Sequence, residues 1–219
     1  MKRSEARAAV AAAYRGLGRR GLIVGSAGNV SLRTRKGMLI TPSGGDPDRA
    51  GSADMVSVTL DGVVTSDGTP SSEWAMHAAI YHAKPAVGCV VHTHADACTA
   101  LAALNQDLPA FHYMIASFGG NGVRCAPYAT FGTSRLAHDA VEALAGRSAC
   151  LLANHGMIVH GRGVEDTVAR AVLLETLCRQ YLLALSAGAP RILTSQEMAD
   201  AHERFKTYGP RQRPTHPPG

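Results

Sequence analysis

The sequence predicts an α/β domain built in layers. Short β-branched runs alternate with longer segments of helical periodicity, the pattern of a sheet covered by helices. The chain has 219 residues, 46% of them hydrophobic, enough to bury one sizeable core. The run "VGCVVHTH", residues 87–94, is apolar, β-branched and too short for a helix, so it reads as a buried strand.

The elements follow in order. A basic, amphipathic first helix is expected over residues 4–20, with Ser4 as its cap. It lacks the long apolar centre and small-residue cleavage site of a signal peptide. "GSAGNVSLR" is a Gly-rich loop entering a strand, and "GMLITPSGG" is a strand ending in a turn. "MVSVTLDGVVTSDG" reads as a hairpin turning at Asp61-Gly62. "PSSEWAMHAAIYHA" opens a helix, with Ser71 or Ser72 as cap. After "VGCVVHTH" comes a helix to about residue 104. Strands and a Gly-rich loop lead to a helix capped near Thr133 or Ser134. "SACLLANHGMIVHGRG" gives two short strands around Asn154-His155-Gly156. Helices are then expected over residues 164–186 and 195–205. A single domain over 1–209 and a Pro-rich, disordered tail over 210–219 complete the expectation.

Composition excludes several classes. No run of eighteen apolar residues occurs, so no membrane span or membrane partner is expected. The net charge is +5, but its basic excess lies at the two ends, without long runs or interleaved aromatics. That argues for a solvated face and against nucleic acid. Five scattered cysteines, with no Cys-x-x-Cys, fit a reducing cytoplasm.

His92 and His94 carry the first chemical question. On a strand they point the same way, about 6.5 Å apart at Cβ, and could converge on one ion. The plainer alternative is two core histidines bonded to backbone. A catalytic zinc site commonly uses three protein ligands. His155, between two apolar runs and before Gly156, is a candidate third; a turn histidine is the alternative. His77 and His82 read as helix-face residues. Glu73 suits the first turn of its helix electrostatically, and could equally serve as ligand or base. The hydroxyls of Ser71 and Ser72 at a helix start suit a phosphate. The turns "GSAGNVS" and "TPSGG" could add backbone N–H groups to the same cradle.

The motifs "GSAGNVS", "ITPSG", "PSSEW.MH", "VVHTHA", "HYMIA..GGN...CAPYATFGT", "NHG" and "FKTYG" together resemble the class II sugar-phosphate aldolase family. The likeness runs in order over about residues 21–209. It implies an α/β/α sandwich with a central, mostly antiparallel sheet, assembled as a homotetramer with the site at a subunit interface. It implies one Zn2+ per subunit, held by His92, His94 and His155 with Glu73 as an exchangeable fourth ligand. It implies a substrate phosphate held by Asn29, Ser43, Gly44, Ser71 and Ser72. Tyr113 would be the acid–base residue at the aldehyde end, Tyr208 would come from a mobile C-terminal segment, and Phe131 and Phe205 would line the aldehyde pocket. Ser43 stands where threonine is usual, Asn154 where a histidine can occur, and "GGDPDRAGS" is unfamiliar.

The activity implied is retro-aldol cleavage of L-fuculose 1-phosphate to dihydroxyacetone phosphate and L-lactaldehyde. 5-Deoxyribulose and methylthioribulose 1-phosphate are rival substrates. Similar enzymes act as pentulose-phosphate epimerases or dehydratases, and adducin-like binding modules lack the histidines. No Schiff-base lysine is needed where a metal is the electron sink.

Overall fold

The structure, a computed structural model, describes residues 2–207. The 210–219 tail and Tyr208 lie outside the described residues. Helix α1 (Arg3–Arg19) precedes strands β1 (Gly28–Thr34), β2 (Gly37–Ile40) and β3 (Val56–Val58). Helix α2 (Trp74–Ala83), strand β4 (Cys89–Thr93) and helix α3 (Asp96–Ala103) follow. Then come β5 (Leu108–Pro109), a 3-10 helix (Tyr113–Phe118), β6 (Gly122–Val123), β7 (Cys125–Ala126) and α4 (Ser134–Ala143). The chain continues through β8 (Ala149–Leu152), β9 (Gly156–Gly161), α5 (Val164–Ala187) and α6 (Ser195–Thr207).

Seven strands form one sheet in the order β3-β2-β1-β4-β9-β8-β7, and β5 pairs with β6 in a small second sheet. Every pairing in the large sheet is antiparallel except β7 with β8. Helices cover both faces, so the fold is the mostly antiparallel α/β/α sandwich.

Strand alternation explains the two cores. Cys89 and Val91 of β4 join Val30, Leu32, Met157 and Val159 in a cluster with α1, α3 and α5. Val90 joins Met38, Ile40, Cys150 and Ile158 in a second cluster with α2 and α4. His92 shares the parity of Val90, which turns it toward the α2 side.

Three local expectations shift. Ser4 lies inside α1, and the Glu5 carboxylate accepts the Lys2 backbone N–H at 2.9 Å instead. The hairpin after β3 closes through Thr59 N–H to Val63 O at 2.9 Å, but its second arm is a single bridge at Val64. Gly62, at φ +89°, makes that turn; a Cβ there would lie 2.4 Å from the Trp74 ring. Finally, α2 begins one residue after Glu73, so Glu73 occupies its N-cap.

Two charged side chains lock helix ends near the sheet. Arg33 of β1 donates to the carbonyls of Tyr81, Lys84 and Val87, at 2.6, 3.2 and 2.7 Å, which closes the end of α2. The buried Glu175 of α5 accepts the N–H groups of Ala97 and Cys98 at 3.0 and 2.9 Å. Those are orphan donors at the start of α3, immediately after His94. None of the described helices is long and apolar enough to cross a membrane.

Replacing Glu175 by Leu strands both donors in the core. The expected loss is about 2–3 kcal/mol of unfolding free energy, read by denaturant titration. His160 gives a pH dependence. Burial first, and the Lys84 charge second, push its pKa down to about 4, and it bonds the Arg147 carbonyl at 3.0 Å. Its unfolded value is about 6.5, so the unfolded chain binds the proton more readily between those values. Its contribution is therefore complete above pH 6.5 and is lost as pH falls toward 4. The His160→Gln variant should gain stability relative to wild type over that window in denaturation curves.

Candidate active site

Strand β4 lies between β1 and β9, and its end builds the site. Asn29 stands opposite His92 on one side, and Ile158 opposite it on the other. The strand stops at Thr93, so His94 lies one residue beyond it. Both rings still converge: His92 Nε2 and His94 Nε2 are 3.0 Å apart. His155 comes from the turn between β8 and β9, its ring centroid 4.8 Å from His92 and 4.7 Å from His94. Asn154 makes this turn at φ +54°, a left-handed conformation that asparagine tolerates. Gly156 lets the turn approach β4, since a Cβ there would lie 2.4 Å from Thr93 O.

Glu73 completes the cluster from the start of α2. Its Oε2 lies 3.1 Å from His92 Nε2, and its Oε1 lies 3.3 Å from His155 Nε2. Ser71 Oγ accepts the Glu73 backbone N–H at 3.3 Å, which fixes the carboxylate's origin. One potential ligand atom from each of Glu73, His92, His94 and His155 lies within 4.8 Å of all the others.

The protonation pattern shows what this cluster can hold. The Met157 carbonyl accepts from His92 Nδ1 at 2.8 Å, so that nitrogen carries the proton. In the neutral ring Nε2 then presents a lone pair, facing another imidazole nitrogen and a carboxylate oxygen. Burial first, then the neighbouring His92 and His155, push the His94 pKa down to about 4, leaving it neutral near pH 7. Burial alone would raise the Glu73 carboxyl, but His92 and His155 outweigh it and hold it well below the usual range. Glu73 Oε1 is buried and, beyond its 3.3 Å approach to His155 Nε2, makes no hydrogen bond among the described residues. Converging nitrogen lone pairs around a buried carboxylate oxygen fit a divalent cation, and three nitrogens with one oxygen suit zinc.

The remaining candidates fall into two groups. Ser43 and Gly44 form an exposed turn after β2, joined to the loop before α2 by Ser43 N–H to Thr69 O at 2.9 Å. Ser71 is tied to the same place by its N–H to Thr41 O at 3.0 Å, and Ser72 beside it is exposed. Asn29 is buried, with its amide bonded to Glu73 Oε2 at 3.0 Å and to His77 Nε2 at 2.5 Å. The loop with Phe131 abuts this area: a Cβ on Gly132 would lie 3.4 Å from Ser72 O, and Phe131 is 65% exposed. Tyr113 belongs to another neighbourhood. It is 55% exposed, stacked on His112 at 4.7 Å and facing Phe205 at 6.3 Å. The helix-face reading missed the position of His77, which is fully buried. Its spacing of four from Glu73, one helical turn, was the available signal.

The family profile described as "Class II Aldolase and Adducin N-terminal domain" matches residues 8–182. The chain belongs to that family. It is a class II aldolase, of a family that acts on phosphorylated sugars and generally uses a divalent metal. It is 46% identical over 198 residues to the 5-methylthioribulose-1-phosphate/5-deoxyribulose-1-phosphate aldolase of Rhodospirillum rubrum, covering 90% of each chain. It is 44% identical over 192 residues to the L-fuculose phosphate aldolase of Escherichia coli strain K12, covering 87% of this chain and 89% of that one. A solved L-fuculose 1-phosphate aldolase superposes with a TM-score of 0.88 at 36% identity, over 92% of this chain and 96% of the other.

For this class II aldolase, His92→Ala removes one of the four converging donors. The purified variant is expected to lose most of its bound divalent metal, measured by elemental mass spectrometry against wild type. Equal metal content in the two proteins would exclude His92 as a ligand.

Proposed function

We propose that the enzyme cleaves a 1-phosphorylated deoxyketose, L-fuculose 1-phosphate first among them, to dihydroxyacetone phosphate and an aldehyde. The convergence of Glu73, His92, His94 and His155 carries this reading. We assign them one Zn2+ per subunit. A divalent ion held there supplies Lewis-acid stabilisation of the negative charge that builds on the substrate oxygens.

The chain's own groups do the rest. Ser43, Gly44, Ser71, Ser72 and the second amide hydrogen of Asn29 bind the phosphate end. Tyr113 relays the proton of the C4 hydroxyl to solvent as the C3–C4 bond breaks and the aldehyde carbonyl forms, and its phenol is unchanged overall. The electron pair of that bond stays with the three-carbon phosphate half. The Glu73 carboxylate takes up a proton from solvent and passes it to carbon C3, which returns it to its ionised form. Phe131 and Phe205 line the aldehyde end, and Tyr208 is assigned a role in the same step.

The half-exposed Tyr113, stacked on His112 and facing Phe205, supports a homotetramer in which one subunit completes its neighbour's site. Residues 1–209 act as one domain, and the free cysteines suit a reducing cytoplasm. A second substrate reading has its own support. The Rhodospirillum rubrum relative, named for methylthioribulose and deoxyribulose phosphates, is as similar as the fuculose phosphate enzymes. These substrates share the phosphorylated end and differ at the aldehyde end.

Dihydroxyacetone phosphate release from each of the three ketose 1-phosphates, followed through a coupled reductase, tests the reading. Release should stop with a chelator and return with zinc. Absence of release from all three, with zinc bound, would refute it. Glu73→Gln should lower turnover by about 10²–10⁴-fold while retaining more zinc than His92→Ala. Unchanged turnover would remove Glu73 from the proton transfer.

A further inference from the structure

Glu73 is also the end of a second, fully internal chain of polar groups. Tyr81 Oη lies 2.8 Å from Ser31 Oγ, and Ser31 Oγ lies 2.7 Å from His77 Nδ1. His77 Nε2 lies 2.5 Å from Asn29 Oδ1, and Asn29 Nδ2 lies 3.0 Å from Glu73 Oε2. All five residues are buried, none more than 7% exposed.

The chain is a zipper between two elements. Glu73, His77 and Tyr81 recur every fourth residue, one face of α2 and its cap. Asn29 and Ser31 are alternate residues, one face of β1. Four residues of helix rise about 6.0 Å, and two residues of strand about 6.6 Å. The near match lets Asn29 fit between Glu73 and His77, and Ser31 between His77 and Tyr81. The same Asn29 is the register partner of His92. The zipper therefore ties the carboxylate of the cluster to the strand that carries a histidine of the cluster.

Hydrogen-bond inventory gives the zipper one direction. A Glu73 carboxylate can only accept, so Asn29 presents its NH2 group to Oε2. Asn29 Oδ1 then faces His77, so His77 Nε2 carries the ring proton. His77 Nδ1 is left bare and accepts from the Ser31 hydroxyl, whose oxygen accepts from Tyr81. Every donor points toward Glu73. Burial first, and the neighbouring His92 second, push the His77 pKa down to about 3.

We propose that His77 is a positioning residue for the metal centre: by fixing the Asn29 amide, it aims the Glu73 carboxylate at the three imidazoles. This rests on the metal-centre reading given above. His77 touches neither substrate nor ion. It anchors Oε2 through Asn29, while Oε1, 3.3 Å from His155 Nε2, makes no other hydrogen bond among the described residues. The orientation of the amide decides this link, because a flipped Asn29 would set its carbonyl oxygen against the carboxylate.

Neutron diffraction from deuterated crystals of the full chain, together with zinc affinity of two variants, tests the proposal. The deuteron of His77 should lie on Nε2, with none on Nδ1; a deuteron on Nδ1 overturns it. In His77→Gln the amide nitrogen can replace Nε2 and keep the bond to Asn29. In His77→Asn the shorter amide reaches only the Ser31 side. Competition with a chromophoric chelator should show zinc binding weakened by about 10-fold or more in His77→Asn and retained within about 3-fold in His77→Gln. Equal affinities in two folded variants overturn the proposal while leaving the metal centre standing. A wild-type protein that binds no zinc overturns the metal centre itself. Neither readout depends on turnover, so a wrong substrate assignment leaves both unaffected.

Discussion

The double pairing of β4, with β1 on one side and β9 on the other, is the constraint on which the site depends. A central strand has both backbone edges in hydrogen bonds, so its register is fixed and its end cannot slide. Register alone puts Asn29 beside His92, and brings the Met157 carbonyl within reach of the His92 ring. Burial of Val90 and Val91 on opposite faces then leaves His92 no choice of side. A one-residue slip would turn the imidazole to the other layer, away from α2 and Glu73.

Four ligand-type atoms gathered within 4.8 Å are unfavourable by themselves. The imidazole rings lose water, and their nitrogens approach one another and a carboxylate. The fold holds them through anchors away from the point of convergence. His92 is anchored by the Met157 carbonyl, Glu73 by Asn29 and by the Ser71 hydroxyl, and the turn after His94 by Glu175 of α5. Such outer partners raise ligand basicity and remove rotational freedom before an ion arrives. A site of this kind gives up some stability for a preorganised charge, a usual feature of functional centres.

The separation of the remaining groups has a chemical sense. The serines and Gly44 cluster on two turns that backbone bonds tie together, near the start of α2. Tyr113 and Phe205 stack elsewhere, with Tyr113 largely exposed. The serine and Gly44 turns thus belong to the sheet–helix junction, while Tyr113 and Phe205 lie on the outer elements.

The sequence by itself determined the order of helices and strands, the layered class and the identity of the four cluster residues. Helical and strand periods, Gly-rich turns and the ordered motifs carry that information locally, and it survives without coordinates. Cap positions shifted by a residue or two because Glu5 could cap α1 from within its first turn and Ser71 could bond Glu73 from outside α2. The tertiary structure decided what local pattern cannot express. His77 reads as an ordinary helix residue until β1 packs against α2 and places Asn29 and Ser31 on either side of its ring. Asn29 reads as a loop residue near a phosphate until the β1–β4 register turns its amide to Glu73. Both depend on contacts between segments some fifty residues apart, and only the closed sheet brings those segments together.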